Sequence, residues 1–287
     1  MSYDVNTEQN HSDLDLIDQR FVFEYTALEG PGDGQRWTTW LDVERGSRGP
    51  DPRPDWVVTE QAAIDTELGV LKTGKEADVF LLERAVPEGR GVLMAAKRYR
   101  SEEHRSFHRS TTYVEGRRTR NSRDTRALAK KTSHGRNIAA GQWAFAEWEA
   151  LCRLWTAGVP VPYPVQIDGT EILMEFIDDG DGGAAPRLAQ VRPRGELLRS
   201  YYDQIRGAMA DLARVGIAHG DLSAYNILAQ GNRIVLIDLP QVVDIVGNPQ
   251  GMDFLMRDCH NMCAWFTSRG LEVDEHELFA DLLTHAF

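Results

Sequence analysis

The stretches HGDLSAYN, His219 to Asn226, and IVLIDLPQ, Ile234 to Gln241, decide how this chain is read. The first holds Asp221 and, five positions on, Asn226; the second sets Asp238 at the end of an apolar run. Between them lie Ile227-Leu228, a polar break at Gln230-Gly231-Asn232, and Ile234 to Ile237, which predicts strand, turn and strand. A hairpin of this kind folds Asn226 and Asp238 to the same end, with Asp221 on the loop just before. Two oxygen ligands able to share a magnesium ion, beside a carboxylate free to take a hydroxyl proton, are the parts of a phosphoryl-transfer site. A loop aspartate before an ordinary core strand is the plainer reading. Order, spacing and hairpin together outweigh it.

Upstream, the same chemistry needs a loop for phosphates, a lysine on a strand and an acid to hold that lysine. The string Lys72 to Val79, KTGKEADV, enters a predicted strand through a Gly-containing turn, where backbone N–H groups of Thr73, Gly74, Lys75 and Glu76 approach phosphate oxygens and Val79 lies beneath. It is no Walker loop, because no GxxxxGK[ST] string occurs. A plain β-turn would look similar. Lys97, in LMAAKRY, sits among apolar neighbours on the next strand, and an ammonium buried without a partner costs several kcal/mol. Glu147, in FAEWEALCRL, is the natural partner and Glu149 the fallback. The strand EILMEFI, Glu171 to Ile177, leads into an acidic break; backbone groups at Glu175 and Ile177 are candidates to pair with adenine, with Met174 at the back of the pocket. His219 is read as a packing residue that fixes its loop.

The chain as a whole, 287 residues at 42% hydrophobic, suits one two-lobed domain or two small ones. No apolar run approaches the ~20 residues needed to cross a bilayer, and the opening MSYDVNTEQN lacks the basic start and apolar core of a secretory signal. Three cysteines make no disulfide framework, so a reducing, cytoplasmic setting is expected. Cys259, His260 and Cys263 lack a fourth metal ligand nearby and read as one amphipathic helix. The net charge of −12 argues against wholesale nucleic-acid binding. Its distribution is uneven, however. Residues 104–137 carry ten Lys/Arg against Glu115 and Asp124, a patch that can attract RNA or an acidic partner, or serve only as a solvated loop.

Along the chain, residues 1–50 read as an extension whose first ~18 residues are disordered. Apolar islands at Phe21-Val22-Phe23 and Trp37 to Leu41 dock on the downstream residues, and Gly46 to Pro54 reads as a linker. Trp56 to Leu71 predicts a short helix and then a strand. Strands are expected at Asp78 to Arg84, Gly91 to Tyr99, Val165 to Ile167 and Glu171 to Ile177. A helical stripe runs from Ala139 to Thr156 through Trp143, Ala144, Trp148, Leu151, Cys152 and Trp155. Asp178 to Gly183 is the expected flexible break between lobes, followed by helices at Leu197 to Val215, 251–268 and 274–286. The divisions are therefore 1–50, an N-lobe at 51–177 and a C-lobe at 178–287, an α+β kinase-like layout.

These strings resemble the RIO atypical protein kinases, and the first subfamily in particular. TGKEADV at Thr73 to Val79 is similar to its nucleotide loop, and HGDLSAYN and LIDLPQ to its catalytic and metal loops. WTAGVPVP at Trp155 to Pro162 and FLMRDCHNMCAWF at Phe254 to Phe266 match other familiar strings. The resemblance spans about residues 56–285 and implies a two-lobed fold with an antiparallel N-lobe sheet, one long helix and a reduced helical C-lobe. It implies ATP with Mg2+ or Mn2+ as cofactors, Asp221 as the carboxylate facing the acceptor, and Asn226 and Asp238 on the metal. Lys97 would lie on the phosphates and Glu147 would orient Lys97. It also implies autophosphorylation of serines in the basic loop (Ser106, Ser110 and Ser122 are candidates) and a part in small ribosomal subunit maturation as an ATP-driven switch. Such proteins lack the peptide-binding helices of ordinary kinases, and no APE string follows Asp238 here. The acidic, Arg-rich composition reads as bacterial, and HGD stands where the subfamily more often has HAD. A small-molecule phosphotransferase of the aminoglycoside-kinase kind and a non-enzymatic, ATP-gated assembly factor are the competing readings.

Overall fold

The computed structural model describes residues 31–100, 133–240 and 242–286. Six strands form one antiparallel sheet: β1 (Gln35–Trp37), β2 (Ile64–Thr73), β3 (Ala77–Ala85), β4 (Gly91–Tyr99), β5 (Pro164–Asp168) and β6 (Glu171–Glu175), ordered β1-β2-β3-β4-β6-β5. Between β4 and β5 runs helix α1 (Ser133–Thr156), which packs against β4, β5 and β6. The rest is mainly helical: α2 (Gly195–Arg214), α3 (Gly251–Thr267) and α4 (Glu275–Ala286) surround two small ladders. One is the hairpin β8 (Ile227–Gln230) and β9 (Arg233–Leu236); the other pairs β7 (Ile217–Ala218) with β10 (Val243–Asp244). This is the kinase-like α+β fold expected from the sequence.

Alternation along β4 sets the two faces of the sheet. Met94 and Ala96 go into a cluster with Trp40, Leu82, Tyr163 and Leu173, while Ala95, Lys97 and Tyr99 line a cleft on the opposite face. On α1 the predicted stripe faces inward, with Ala144, Trp148 and Leu151 fully buried. Within the sheet, Arg84 and Asp65 are buried together, the guanidinium donating at 2.6 and 2.9 Å to the carboxylate and at 3.0 Å to Gln166 Oε1.

Four expectations need correcting. Trp56 to Leu71 holds no helix; turns lead directly into the ten-residue β2, because β2 gains ladder bonds on both sides from β1 and β3. Gly46 to Pro54 is no free linker. The N–H of Gly49 bonds Val165 O at 2.9 Å, Arg48 bridges Gln166, and a Cβ on Gly49 would stand 2.0 Å from Pro164 O. The break at Asp178 to Gly183 is an organised turn, in which Asp178 Oδ1 accepts the Gly180 N–H at 2.7 Å and Asp179 Oδ1 those of Asp181 and Gly183, each at 2.9 Å. The island at Trp37 to Leu41 does dock, through buried Trp40. Of the basic loop expected at 104–137, residues 133–137 belong instead to α1. The first 30 residues with Phe21-Val22-Phe23, and 104–132 with Ser106, Ser110 and Ser122, lie outside the described residues.

Candidate active site

Register explains how distant residues meet. In the β8–β9 hairpin Ile227 pairs with Leu236, and the Ile237 N–H donates to Asn226 O at 2.9 Å, so Asn226 and Asp238 leave the hairpin at one end. Asn226 turns its Nδ2 onto the Asp221 carbonyl at 2.9 Å, fixing the loop between them and leaving its own Oδ1 for another partner. Asp238 adopts φ 68, a left-handed conformation seldom held by a non-glycine residue and one that the surrounding contacts must maintain.

Lys97 reaches across from β4. Its Nζ lies 2.6 Å from Glu147 Oε1 and 3.1 Å from Asp238 Oδ1. Glu147, buried in α1, also accepts the Tyr99 hydroxyl and, at 3.3 Å, the Leu239 N–H. It therefore ties sheet, helix and post-hairpin segment together, whereas Glu149 is exposed and plays no such part. Burial works against the Lys97 ammonium, but the two carboxylates outweigh it and hold its pKa above the ordinary value. For Asp238 burial pushes the pKa up, and Lys97, with Lys72 and His219 adding to it, reverses this, leaving it lowered.

These groups border a cavity of about 850 Å³. Of the residues singled out from sequence, Gly74, Lys75, Glu76, Val79, Lys97, Glu147, Met174, Glu175, Ile177 and Asp238 line it. Thr73, Asp221 and Asn226 do not. Thr73 supports Asp78, the carboxylate that Arg100 holds at 2.5 and 2.7 Å; Asp221 and Asn226 sit on the loop between β7 and β8. At the strand end, Glu175 gives its N–H to Tyr163 O at 2.9 Å, and Ile177 takes the Ala185 N–H on its carbonyl at 2.9 Å.

Sequence reasoning passed over three contributors. Lys72 and Arg187 line the cavity. Asp258 of α3, buried, accepts the N–H groups of Gly220 and Leu222, each at 2.8 Å, and so holds the Asp221 loop from below. An acid among Leu255, Cys259 and Met262 on the inner stripe of a helix was the signal that could have found it. His219 is buried, its Nε2 3.2 Å from Ile237 O, which fits the packing role expected of it. Cys259 and Cys263 are core residues, and His260 pairs with Glu275 at 2.6 Å.

A sheet over a helical half, with a lysine–carboxylate bridge across the cleft, is the architecture of the protein-kinase-like class. A family model described as "RIO domain" matches residues 85–278. The RIO-type serine/threonine-protein kinase Rio1 of Haloferax volcanii is 32% identical over 222 residues, covering 77% of this chain and 70% of that protein. Serine/threonine-protein kinase RIO3 of Homo sapiens is 35% identical over 140 residues, 48% of this chain but 27% of its own length. Among solved structures, the Rio2 kinase–ADP/Mg2+–phosphoaspartate complex from Chaetomium thermophilum superposes with a TM-score of 0.55 at 22% identity, covering 76% of this chain and 62% of that one. The chain belongs to the RIO family. Among the described residues no helix is long and apolar enough to cross a membrane.

Proposed function

We propose that this chain is a RIO-type atypical serine/threonine kinase that transfers phosphate from ATP, with Mg2+ or Mn2+, to a serine hydroxyl, its own serines included. The observation that carries the reading is the ammonium of Lys97 held by both Glu147 and Asp238 on the wall of the cavity. The names of the RIO relatives support it.

In this reading adenine enters between Val79 and Met174. It pairs with the groups left over at the strand end, the Glu175 carbonyl and the Ile177 N–H. The turn Thr73 to Glu76 presents backbone N–H groups to the phosphates, and Lys97, kept in place by Glu147, takes their negative charge. Asn226 Oδ1 and the Asp238 oxygen not engaged by Lys97 are the donors for the divalent ion, a hard oxygen pair that suits magnesium. Among the described residues no three His, Cys, Asp or Glu cluster as a metal cage, so the remaining ligands would be nucleotide oxygens and water. When bound, the ion neutralises phosphate charge. Asp221, exposed on a loop that Asn226 and Asp258 brace, orients the acceptor hydroxyl and takes its proton. The lobes divide at 177/178, and the basic stretch 104–137 is the proposed contact for RNA or the small ribosomal subunit.

Mass spectrometry after incubation with MgATP tests the reading, alongside D221N and D238N. Phosphoserine, and losses of about 100-fold or more in both variants, are expected. Losses below about threefold in both would overturn the assignments. Phosphate found on an aspartate, as in the Rio2 phosphoaspartate complex, or only in solution would favour an ATPase switch.

A further inference from the structure

Two cations at the cavity wall have no part in the scheme above. Lys72 stands near the end of β2, opposite Val79 in the β2–β3 ladder, just after a bulge between Val70 and Lys72 that re-aims the strand. Arg187 comes from the other half of the molecule, in the segment that enters the short 3-10 turn Leu188–Gln190. Its backbone alone does the capping there: the Arg187 N–H donates to Gln190 Oε1 at 2.8 Å and the Gln190 N–H to Arg187 O at 2.8 Å. The guanidinium is therefore not needed for the turn. It donates to the Tyr225 carbonyl, inside the Asp221 to Asn226 loop.

Lys97 has two carboxylates. Among the described residues, by contrast, no carboxylate lies within 4.0 Å of Lys72 or Arg187. The two charges also feel each other: partial burial and then Arg187 press the Lys72 pKa down, with Asp238 acting the other way. Like charges only partly offset along a cleft raise the energy of the empty protein, and a polyanion recovers that cost. A guanidinium has five N–H donors; Tyr225 occupies one, so a fork remains for phosphate.

We propose that Lys72 and Arg187 form a second phosphate clamp, one arm from each half of the molecule, which recognises the terminal phosphate of a bound nucleoside triphosphate. The tether to Tyr225 is what selects the terminal phosphate, since it holds the guanidinium against the loop that carries Asp221. This inference rests on the nucleotide reading of the cavity and adds to it a means of telling ATP from ADP.

The test is calorimetric binding of ATP, ADP and adenosine to the full chain in EDTA, so that no divalent ion contributes, for wild type, R187A, R187K and K72A. ATP affinity should fall about tenfold in R187A and in K72A, as expected for a lost charged hydrogen bond. ADP should fall less and adenosine not at all, and R187K should retain an intermediate ATP affinity. Adenosine binding doubles as the control for folding. Unchanged ATP affinity in both alanine variants, or an equal loss for all three ligands, would overturn the clamp while leaving the nucleotide reading intact. A wild type that binds none of the three would overturn both.

Discussion

Lys97 and Asp238, 141 residues apart in the chain, meet at 3.1 Å across the cleft. A strand of the sheet and the end of the β8–β9 hairpin are thereby joined by one ion pair, with Glu147 completing it from α1. The contact fixes where a divalent ion and a triphosphate would have to fit, and it makes stability depend on pH.

The direction of that dependence differs for the two partners. Asp238 is depressed below 3.8, so the stability it contributes is present above that value and is lost as pH falls through its folded pKa. Lys97 is raised above 10.5, so its contribution is complete below that value and is lost as pH climbs through its folded pKa. The melting temperature of wild type should therefore exceed that of K97M most between about pH 5 and pH 9 and converge with it toward both extremes. A constant difference from about pH 3 to about pH 11 would contradict this.

Removing the acid beneath the loop should act on both folding and turnover. In D258A the N–H groups of Gly220 and Leu222 lose their acceptors inside the core, at a cost of about 1–3 kcal/mol each. Urea denaturation should register that loss. Phosphate transfer should fall too, because the Asp221 loop is no longer braced. Burial raises the Asp258 pKa in the wild type, so stability declines as pH rises through that value, and D258A should flatten this decline.

The buried Arg84–Asp65 pair is a separate matter of stability. R84A leaves a carboxylate that is 1% exposed with only the Arg36 Nε, 3.6 Å away, for a cation, at about 3–5 kcal/mol. R84M does the same with better packing. D65N with R84M should recover much of the loss, and chemical denaturation of wild type, both single variants and the double forms a double-mutant cycle that measures the coupling.

All three thiols should be inert in the native state. Burial pushes Cys152 and Cys259 up to about 12 and Cys263 to about 11, so almost no thiolate exists at neutral pH. A colourimetric thiol reagent should report near-zero fast reaction in buffer and three equivalents in denaturant.

Much of the site was readable because the hairpin imposes order. Once Ile227-Leu228 and Ile234 to Ile237 are taken as paired strands, Asn226 and Asp238 must emerge together, and the register bears this out. LMAAKRY set Lys97 among apolar neighbours on a strand, where an ammonium needs a partner, and FAEWEALCRL offered Glu147 as that partner. Lys72 and Arg187 were not readable, because their importance depends on two halves of the molecule closing on one cavity, and no local pattern records that. Asp258 was quoted within a helical string, yet its partners are backbone N–H groups 36 and 38 positions away, which side-chain patterning does not encode. Gly46 to Pro54 misled for the opposite reason. Its Pro and Gly content imitates a tether, while Gly49 is there to allow close approach to Pro164.

That close approach has a practical consequence. β5 is the last strand of the sheet, and Arg48 and Gly49 are what lies along its outer side. A shortened protein starting at Asp55 would leave Val165 and Gln166 with open hydrogen-bonding groups and Tyr163 uncovered. Such a rim invites strand-to-strand self-association, so a trimmed catalytic fragment should oligomerise even though every residue around the cleft is retained.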